Sequence, residues 1–453
     1  MNPNEKIAIA GGGLVGSLQA LFLAKHGFSV DVYERRHDPR NNDYSGGRSI
    51  NLALSDRGWK ALDRAGVADD VKKEAIPMFG RMIHDQAGNL TYQPYGKDGQ
   101  AIYSVSRGGL NKVLLERAGE KENVNLLFNH SIGTVDLEEN ILHVEDMNTG
   151  ERSQKKYDRI FGTDGAFSAI RKRLQRTDRF NYEQRYLTHG YKELVIPGNA
   201  DGTHQIEKNA LHIWPRGEFM LIALPNTDGS FTCTLFFPFD GKVSFNALDT
   251  PEKVTNFFNE VFPDAVAVMP TLIQDYYENP TSSLVMISCD PWNYGDKVCL
   301  MGDASHAIVP FYGQGMNSGF EDCTVFDDIF NAHHGDWNVV FNAFSKKRKP
   351  EADAIRELAL RNYIEMRDKT GDAMFLLQKK IEARFSAKHP EKWIPLYSQV
   401  TFTHIPYDEA LRNGEVQDAI MKRVMNRADI ADVWDSEEIE HAILAELTAE
   451  MVN

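Results

Sequence analysis

Residues 6–34 read KIAIAGGGLVGSLQALFLAKHGFSVDVYE. A short apolar run ends in glycines, Leu18, Leu21 and Phe22 follow at helical spacing, and β-branched alternation returns in FSVDVYE. That switch from strand to helix periodicity and back marks a βαβ unit, and so a parallel sheet. Gly11, Gly13 and Gly16 hold the GxGxxG spacing at the turn, Leu14 and Val15 open the helix, and Glu34 closes the second strand. Bare backbone lets a pyrophosphate approach, the helix N-terminus favours its negative charge, and a carboxylate at the second strand's end accepts from ribose hydroxyls. FAD and NAD both fit this pattern. Arg35 and Arg36 are placed to stack on adenine or contact phosphate, or to remain a solvated pair.

Two later segments repeat the strand-to-helix step. In IFGTDGAFSAIRKRL (160–174), Asp164-Gly165 sits where a strand ends, with Arg171 two turns on; in DKVCLMGD (296–303), a buried strand delivers Asp303 to the sheet's carboxyl edge. A carboxylate there suits sugar-like hydroxyls. The stretch that follows, ASHAIVPFYGQGMNSGFED (304–322), offers the backbone amides of Gly313, Gly315, Met316 and Asn317 at the start of a helix. Phe320, Cys323 and Phe326 are expected on its inner face, with Glu321 and Asp322 outward in the first turn. Such an N-terminus is placed to stabilise negative charge on a reduced flavin.

Around these motifs the texture varies. Residues 51–67 and 106–119 both read as helical, the second with Ser106 as N-cap and Arg107 in its first turn, pointing to a phosphate or ribityl contact. From 211 to 239, turn residues separate strands at hairpin spacing, an antiparallel sheet. From about 340 onward the chain is charged and helical. Motifs near 10, 164 and 303, interrupted by sheet-like material, require two interleaved domains.

The 453 residues are enough for a full core, and the net charge of -15 argues against nucleic-acid or anionic-membrane binding. Cys233, Cys289, Cys299 and Cys323 lack ligand spacing and read as reduced core residues. His84 and His306 read as structural histidines, no metal is assigned, and no GxSxG elbow is present. The N-terminus lacks an export signal and no apolar run is long enough to span a bilayer, so a cytoplasmic protein is expected.

GxGxxG, then Asp164-Gly165, then GDxxH with a following proline and GQGMN, resembles the FAD-dependent aromatic hydroxylases, the single-component flavoprotein monooxygenases, over roughly residues 5–340. GRMIHD (80–85), QPYG (93–96), PFYGQGMNSGFEDC (310–323) and RNYIEMRD (361–368) are similar to the branch that hydroxylates L-kynurenine. The resemblance implies an α/β fold: a Rossmann-like FAD-binding domain (1–75, 101–175, 285–340), an interleaved substrate domain with an antiparallel sheet (76–100, 176–284), and a helical C-terminal region (341–453) completing the substrate pocket. It implies FAD as cofactor, NADPH as co-substrate, and ring hydroxylation by O2 through a flavin C4a-hydroperoxide. Alternatives are another aromatic acid or phenol as substrate. Cofactor contacts carried over are Gly11, Gly13, Leu14, Val15, Gly16, Glu34, Arg35, Ala53, Arg107, Ile132, Asp164, Asp303, Gly315, Met316 and Asn317. Arg81, Tyr95, Asn362 and Tyr397 would hold the substrate carboxylate, with Met366, Phe311 and Tyr312 around the ring; Tyr312 departs from the Phe or His expected there. The acidic final stretch has no apolar run like the C-terminal anchor of membrane-bound relatives, so no such anchor is expected, and a homodimer is allowed but not specified.

Overall fold

The computed structural model describes residues 5–41, 50–96, 99–368 and 372–450, and the side chains of all of these except 366–368 and 450. Its central sheet has six strands in the order Asn293–Tyr294, Val298–Leu300, Arg159–Gly162, Lys6–Ala10, Ser29–Glu34, Val124–Phe128. Every neighbouring pair is parallel except the first. Ile7, Ile9, Val30, Val32, Ile160 and Phe161 are buried, as a sheet covered on both faces requires. From Lys6–Ala10 the chain crosses through the Leu14–Lys25 helix to Ser29–Glu34 on one side, while Arg159–Gly162 lies on the other. The carboxyl end of Lys6–Ala10 is thus a topological switch point, where such sheets bind ligands.

A seven-stranded sheet forms the second layer: Ser282–Asp290, Asn181–Ile196, Phe231–Pro238, Met220–Pro225, Ala210–Pro215, Gly80–His84, Leu90–Pro94. It is antiparallel except where Ala210–Pro215 runs beside Gly80–His84. The strands expected between 211 and 239 are all present. Two three-stranded sheets complete the strands, one a meander over 130–156 and one joining Asn51–Leu54, Ile102–Ser106 and Ala75–Met78.

The helical reading of 51–67 is corrected at its start. The helix runs Asp56–Ala65, and Asn51–Leu54 is a strand paired with Ile102–Ser106. Its partner is some fifty residues away in sequence, a pairing that local periodicity cannot register. The helix over Arg107–Gly119 begins as read, with the Ser106 hydroxyl accepting from the Gly109 N–H at 3.3 Å.

From Trp337 onward the described residues are mainly helical, led by Trp337–Asp368 and followed by Ala373–Lys388, Leu396–Thr401, Tyr407–Met425 and Glu437–Glu450. Ile355, Leu358, Ala359, Tyr363, Val400, Tyr407 and Ala410 share one apolar cluster with Val309, Phe311 and Tyr312. The C-terminal helices therefore pack onto the loop that follows Asp303. No helix among the described residues is long and apolar enough to cross a membrane. All four cysteines are buried and free.

Candidate active site

The three strand-to-helix motifs converge. Gly11 has φ +107°, and a Cβ there would stand 2.6 Å from the Thr163 carbonyl oxygen. A Cβ on Gly16 would lie 2.0 Å from the Gly11 carbonyl oxygen, so only glycine lets this helix pack so near its strand. Thr163 fastens the turn, its hydroxyl donating to the carbonyls of Ala10 at 3.0 Å and Gly11 at 2.9 Å. Val15 packs where Cβ atoms on Gly302 and Gly319 would come within 2.9 and 2.7 Å of it. Gly11 and Val15 thus bring the Asp164 and Asp303 loops beside one helix N-terminus.

Room remains at its centre. Gly13 is the N-cap of Leu14–Lys25, and a Cβ on it would meet nothing within 4 Å. Glu34 steadies the turn, accepting from the Gly12 N–H at 3.1 Å and the Arg36 N–H at 3.0 Å, which leaves each carboxylate oxygen further acceptor capacity. Asn111, one turn after the exposed Arg107, donates to the Gly12 carbonyl at 3.3 Å, so that helix meets the glycine turn. Asp164 accepts from the Ala169 N–H at 2.6 Å through Oδ2, while its Oδ1 is buried without a hydrogen-bond partner, and burial raises its pKa. Asp303 is exposed at the head of a one-turn helix. A glycine cradle, a free helix N-terminus, a carboxylate at the second strand's end and an orphaned buried carboxylate oxygen fit a dinucleotide with sugar hydroxyls. Arg35 is exposed beyond Glu34, and Ile132 packs on the core from a strand adjoining Ser29–Glu34.

The loop after Asp303 is held from behind. Asn317 spends its side chain as a brace: its Oδ1 accepts from the Ser55 N–H at 2.9 Å and its Nδ2 donates to the carbonyls of Ala53 and Gly313, both at 2.8 Å. Ala53 is thereby fixed against Gly313. The N-terminus of Gly315–Ala332 has no side-chain cap, and its first amides, those of Gly315, Met316 and Asn317, have no acceptor within the helix.

Phe320, Cys323 and Phe326 are inward as expected, but Asp322 is not outward. It is fully buried, accepting from the Gly302 N–H at 2.9 Å, meeting His306 Nε2 at 2.6 Å and pairing with Arg348 at 2.8 Å. Arg348 also pairs with Glu321 at 3.0 Å and with Glu351, and Arg57 pairs with Glu321 while donating to the Val400 and Ile405 carbonyls. Arg57 and Arg348 come from two other helices, which a first-turn reading of Glu321 and Asp322 could not include. His306 is a structural histidine, as read.

On the other side of the loop the substrate candidates gather. Tyr95, Tyr397 and Tyr312 form a stack, Tyr397 lying 5.5 Å from each neighbour at 12° and 15°. The half-buried Arg81 guanidinium lies 4.6 Å from the Tyr397 ring centre and 5.5 Å from that of Tyr95. Among the described residues no carboxylate pairs with Arg81; its Nε and the Tyr95 hydroxyl are buried without a hydrogen-bond partner. Burial pushes the Tyr95 and Tyr312 phenols well above their ordinary pKa, so both remain neutral donors. Asn362 donates to the Phe311 carbonyl at 2.7 Å, and Phe311 stacks on Tyr363 at 4.1 Å. Met366 lies on the same helix, its side chain outside the described residues.

Thr163, Asn111, Arg57, Arg348 and Tyr363 were missed by sequence reasoning. Tyr407 is another, its hydroxyl 2.9 Å from Gln314 Oε1. All act through contacts between distant segments, and only the motif-adjacent Thr163 lay where a signal existed.

Known proteins carry the same pattern. Residues 4–334 match the family model described as FAD binding domain. A kynurenine 3-monooxygenase of Flavobacterium johnsoniae is 53% identical over 98% of this chain and 99% of its own, and one from Flavobacterium psychrophilum is 53% identical over the same shares. Among solved structures, a 2-methyl-3-hydroxypyridine-5-carboxylic acid oxygenase superposes with TM-score 0.66 at 18% identity over 86% of this chain and 98% of that one. The last likeness speaks for the fold alone.

Proposed function

The chain belongs to the kynurenine 3-monooxygenase family of FAD-binding proteins, and from that premise we propose that it hydroxylates L-kynurenine to 3-hydroxy-L-kynurenine with NADPH and O2. The observation that carries the substrate is Arg81, a cation drawn into an aromatic recess with no carboxylate beside it among the described residues. A ligand carboxylate would supply the missing charge, gripped by the guanidinium fork and by the hydroxyls of Tyr95 and Tyr397. Phe311 and Tyr312 wall the aromatic end, and Asn362 holds Phe311 in place through its carbonyl.

When bound, FAD would supply the redox chemistry, two-electron exchange with NADPH and activation of O2 for oxygenation of the ring. The protein's part is to hold and to shield. Gly11, Gly13 and Gly16, with Leu14 and Val15 behind them, seat the pyrophosphate; Glu34 and Asp303 accept from sugar hydroxyls; the Gly315–Asn317 amides favour negative charge on the flavin ring. The buried stack excludes water. No protein base is required, since the substrate's aromatic amine activates the carbon ortho to it. In this reading 1–75, 101–175 and 285–340 form the FAD-binding domain, 76–100 and 176–284 the substrate domain, and 341–453 closes the pocket, in a cytoplasmic enzyme.

The test is NADPH oxidation and O2 uptake by the FAD-loaded protein, with and without L-kynurenine, and mass analysis of the product. Strong stimulation with one oxygen added to the ring is expected. Stimulation yielding only hydrogen peroxide, or none, would reject kynurenine and favour another aromatic acid or phenol.

A further inference from the structure

Residues 81 and 84 of the Gly80–His84 strand face opposite sides of the seven-stranded sheet. Arg81 faces the aromatic recess. His84 faces the helical side, where a second set of polar groups lies outside the flavin chemistry. His212 stands opposite Met82 in the neighbouring parallel strand and therefore shares the His84 face, as does Trp214 two residues on. Three contacts link this set into a chain. His84 Nδ1 meets Asp264 Oδ2 at 2.6 Å, His84 Nε2 meets His212 Nδ1 at 2.8 Å, and His212 Nε2 meets the Glu207 carbonyl at 2.7 Å.

The protons along this chain can be counted. A carbonyl and a carboxylate accept only, so His212 Nε2 and His84 Nδ1 must each carry a proton. The contact between the two rings needs a third. Two neutral imidazoles hold two protons in all, so the chain contains one more than neutral rings supply. Asp264 is not its holder: it also accepts from the Trp214 indole N–H at 2.9 Å, and although burial raises its pKa, the hydrogen bonds from His84 and Trp214 outweigh that and leave it lowered. Burial pulls His212 down to about 4, which disfavours charge on that ring. The other charged groups facing the chain are accounted for. Arg216 donates to the carbonyls of Val261, His84 and Asp85, Asp85 accepts from Asn89, and the Glu207 carboxylate accepts from the Asn209 N–H.

We infer that the His84–His212 pair stores one proton at neutral pH, and that the resulting chain to Asp264 is a positioning device that fixes the Gly80–His84 strand, and with it Arg81, for substrate capture. The positioning part rests on Arg81 binding the substrate carboxylate; the proton count does not. If the proton leaves, two lone pairs face each other across one of the contacts, and that contact opens. The tie is complete around neutral pH and is lost as pH rises, because the folded chain binds the extra proton.

The test has two arms on the FAD-loaded protein. With 15N-labelled histidine, and His84→Gln and His212→Gln to assign the signals, NMR should find three of the pair's four ring nitrogens protonated at neutral pH; two would overturn the proton store. L-kynurenine affinity should fall roughly 3- to 10-fold on the alkaline side in the wild type, the size of one lost hydrogen bond. His84→Gln should bind weakly at every pH and lose this alkaline step, with the effect on KM exceeding that on kcat. Should His84→Gln not fold, Asp264→Asn replaces it, with the same expectation. A variant that binds like wild type at every pH, while Arg81→Ala weakens binding, would overturn the positioning role and leave the carboxylate clamp standing. If Arg81→Ala does not weaken binding, the clamp has failed, and the NMR count still decides the proton store.

Discussion

Arg348 and Arg81 are both drawn into the protein, one on each side of the loop that follows Asp303, and their surroundings are opposite. Arg348 has no exposed side chain and meets Glu321, Asp322 and Glu351. Arg81 meets aromatic faces and no carboxylate among the described residues, with a buried Nε left unpartnered. Burying a guanidinium is costly unless an anion and hydrogen bonds offset it. Where the chain supplies the anions itself, the arginine belongs to the structure; where it does not, the missing anion is a ligand.

The comparison is broken most forcefully at Arg348. Arg348→Met removes the buried cation that Glu321, Asp322 and Glu351 share, and a loss of about 3–5 kcal/mol is expected in denaturant unfolding. Arg81→Ala should cost no more than about 1 kcal/mol of stability, since an incompletely satisfied cation is removed. Instead it should weaken L-kynurenine binding by about 2–3 kcal/mol, the worth of charge-assisted hydrogen bonds. Equal stability losses for the two arginines would erase the distinction.

Acid provides a finer probe of the same pair. Burial alone would raise the Asp322 pKa, but the charges of His306 and Arg348 outweigh it and hold the carboxyl below its usual range. A lowered folded pKa means that this contribution is complete above the ordinary carboxylate value of about 4 and is lost as pH falls through the folded value. The stability difference between wild type and Asp322→Asn should therefore be constant near neutrality and shrink in strong acid. A difference that grows as pH falls would contradict the ion-pair account. The smallest effect is expected for Tyr397→Phe, which keeps the stack and removes one donor, about 0.5–1.5 kcal/mol of kynurenine affinity by titration.

The two sides of the loop were unequally legible in the sequence. The cradle is a backbone device, and backbone demands leave local marks: Gly11 needs a left-handed φ and Gly16 a bare Cα, so both show as glycines at fixed spacing after a strand. The hairpins between 210 and 238 were legible for the same local reason. Asn51–Leu54 was not, because its strand character comes from a partner that the turn residues do not announce. Asp322 was misplaced because its burial is dictated by Arg348 on another helix. Arg81, Tyr95, Tyr312 and Tyr397 lie in four separate segments, so no spacing rule joins them, and they came to notice only through resemblance to a family. The histidine chain behind Arg81 had no signal at all: His84, His212 and Asp264 are unremarkable until the sheet sets two parallel strands side by side.

The most direct test of the clamp pairs a protein change with a ligand change. Dissociation constants are measured for L-kynurenine and for the same molecule lacking its carboxylate, with wild type and with Arg81→Ala, giving a double-mutant cycle. Removing the carboxylate is expected to weaken wild-type binding by roughly 30-fold or more and to change Arg81→Ala binding little. If Arg81→Ala discriminates between the two ligands as strongly as wild type does, the carboxylate is held elsewhere, and Arg81 is a structural arginine like Arg348.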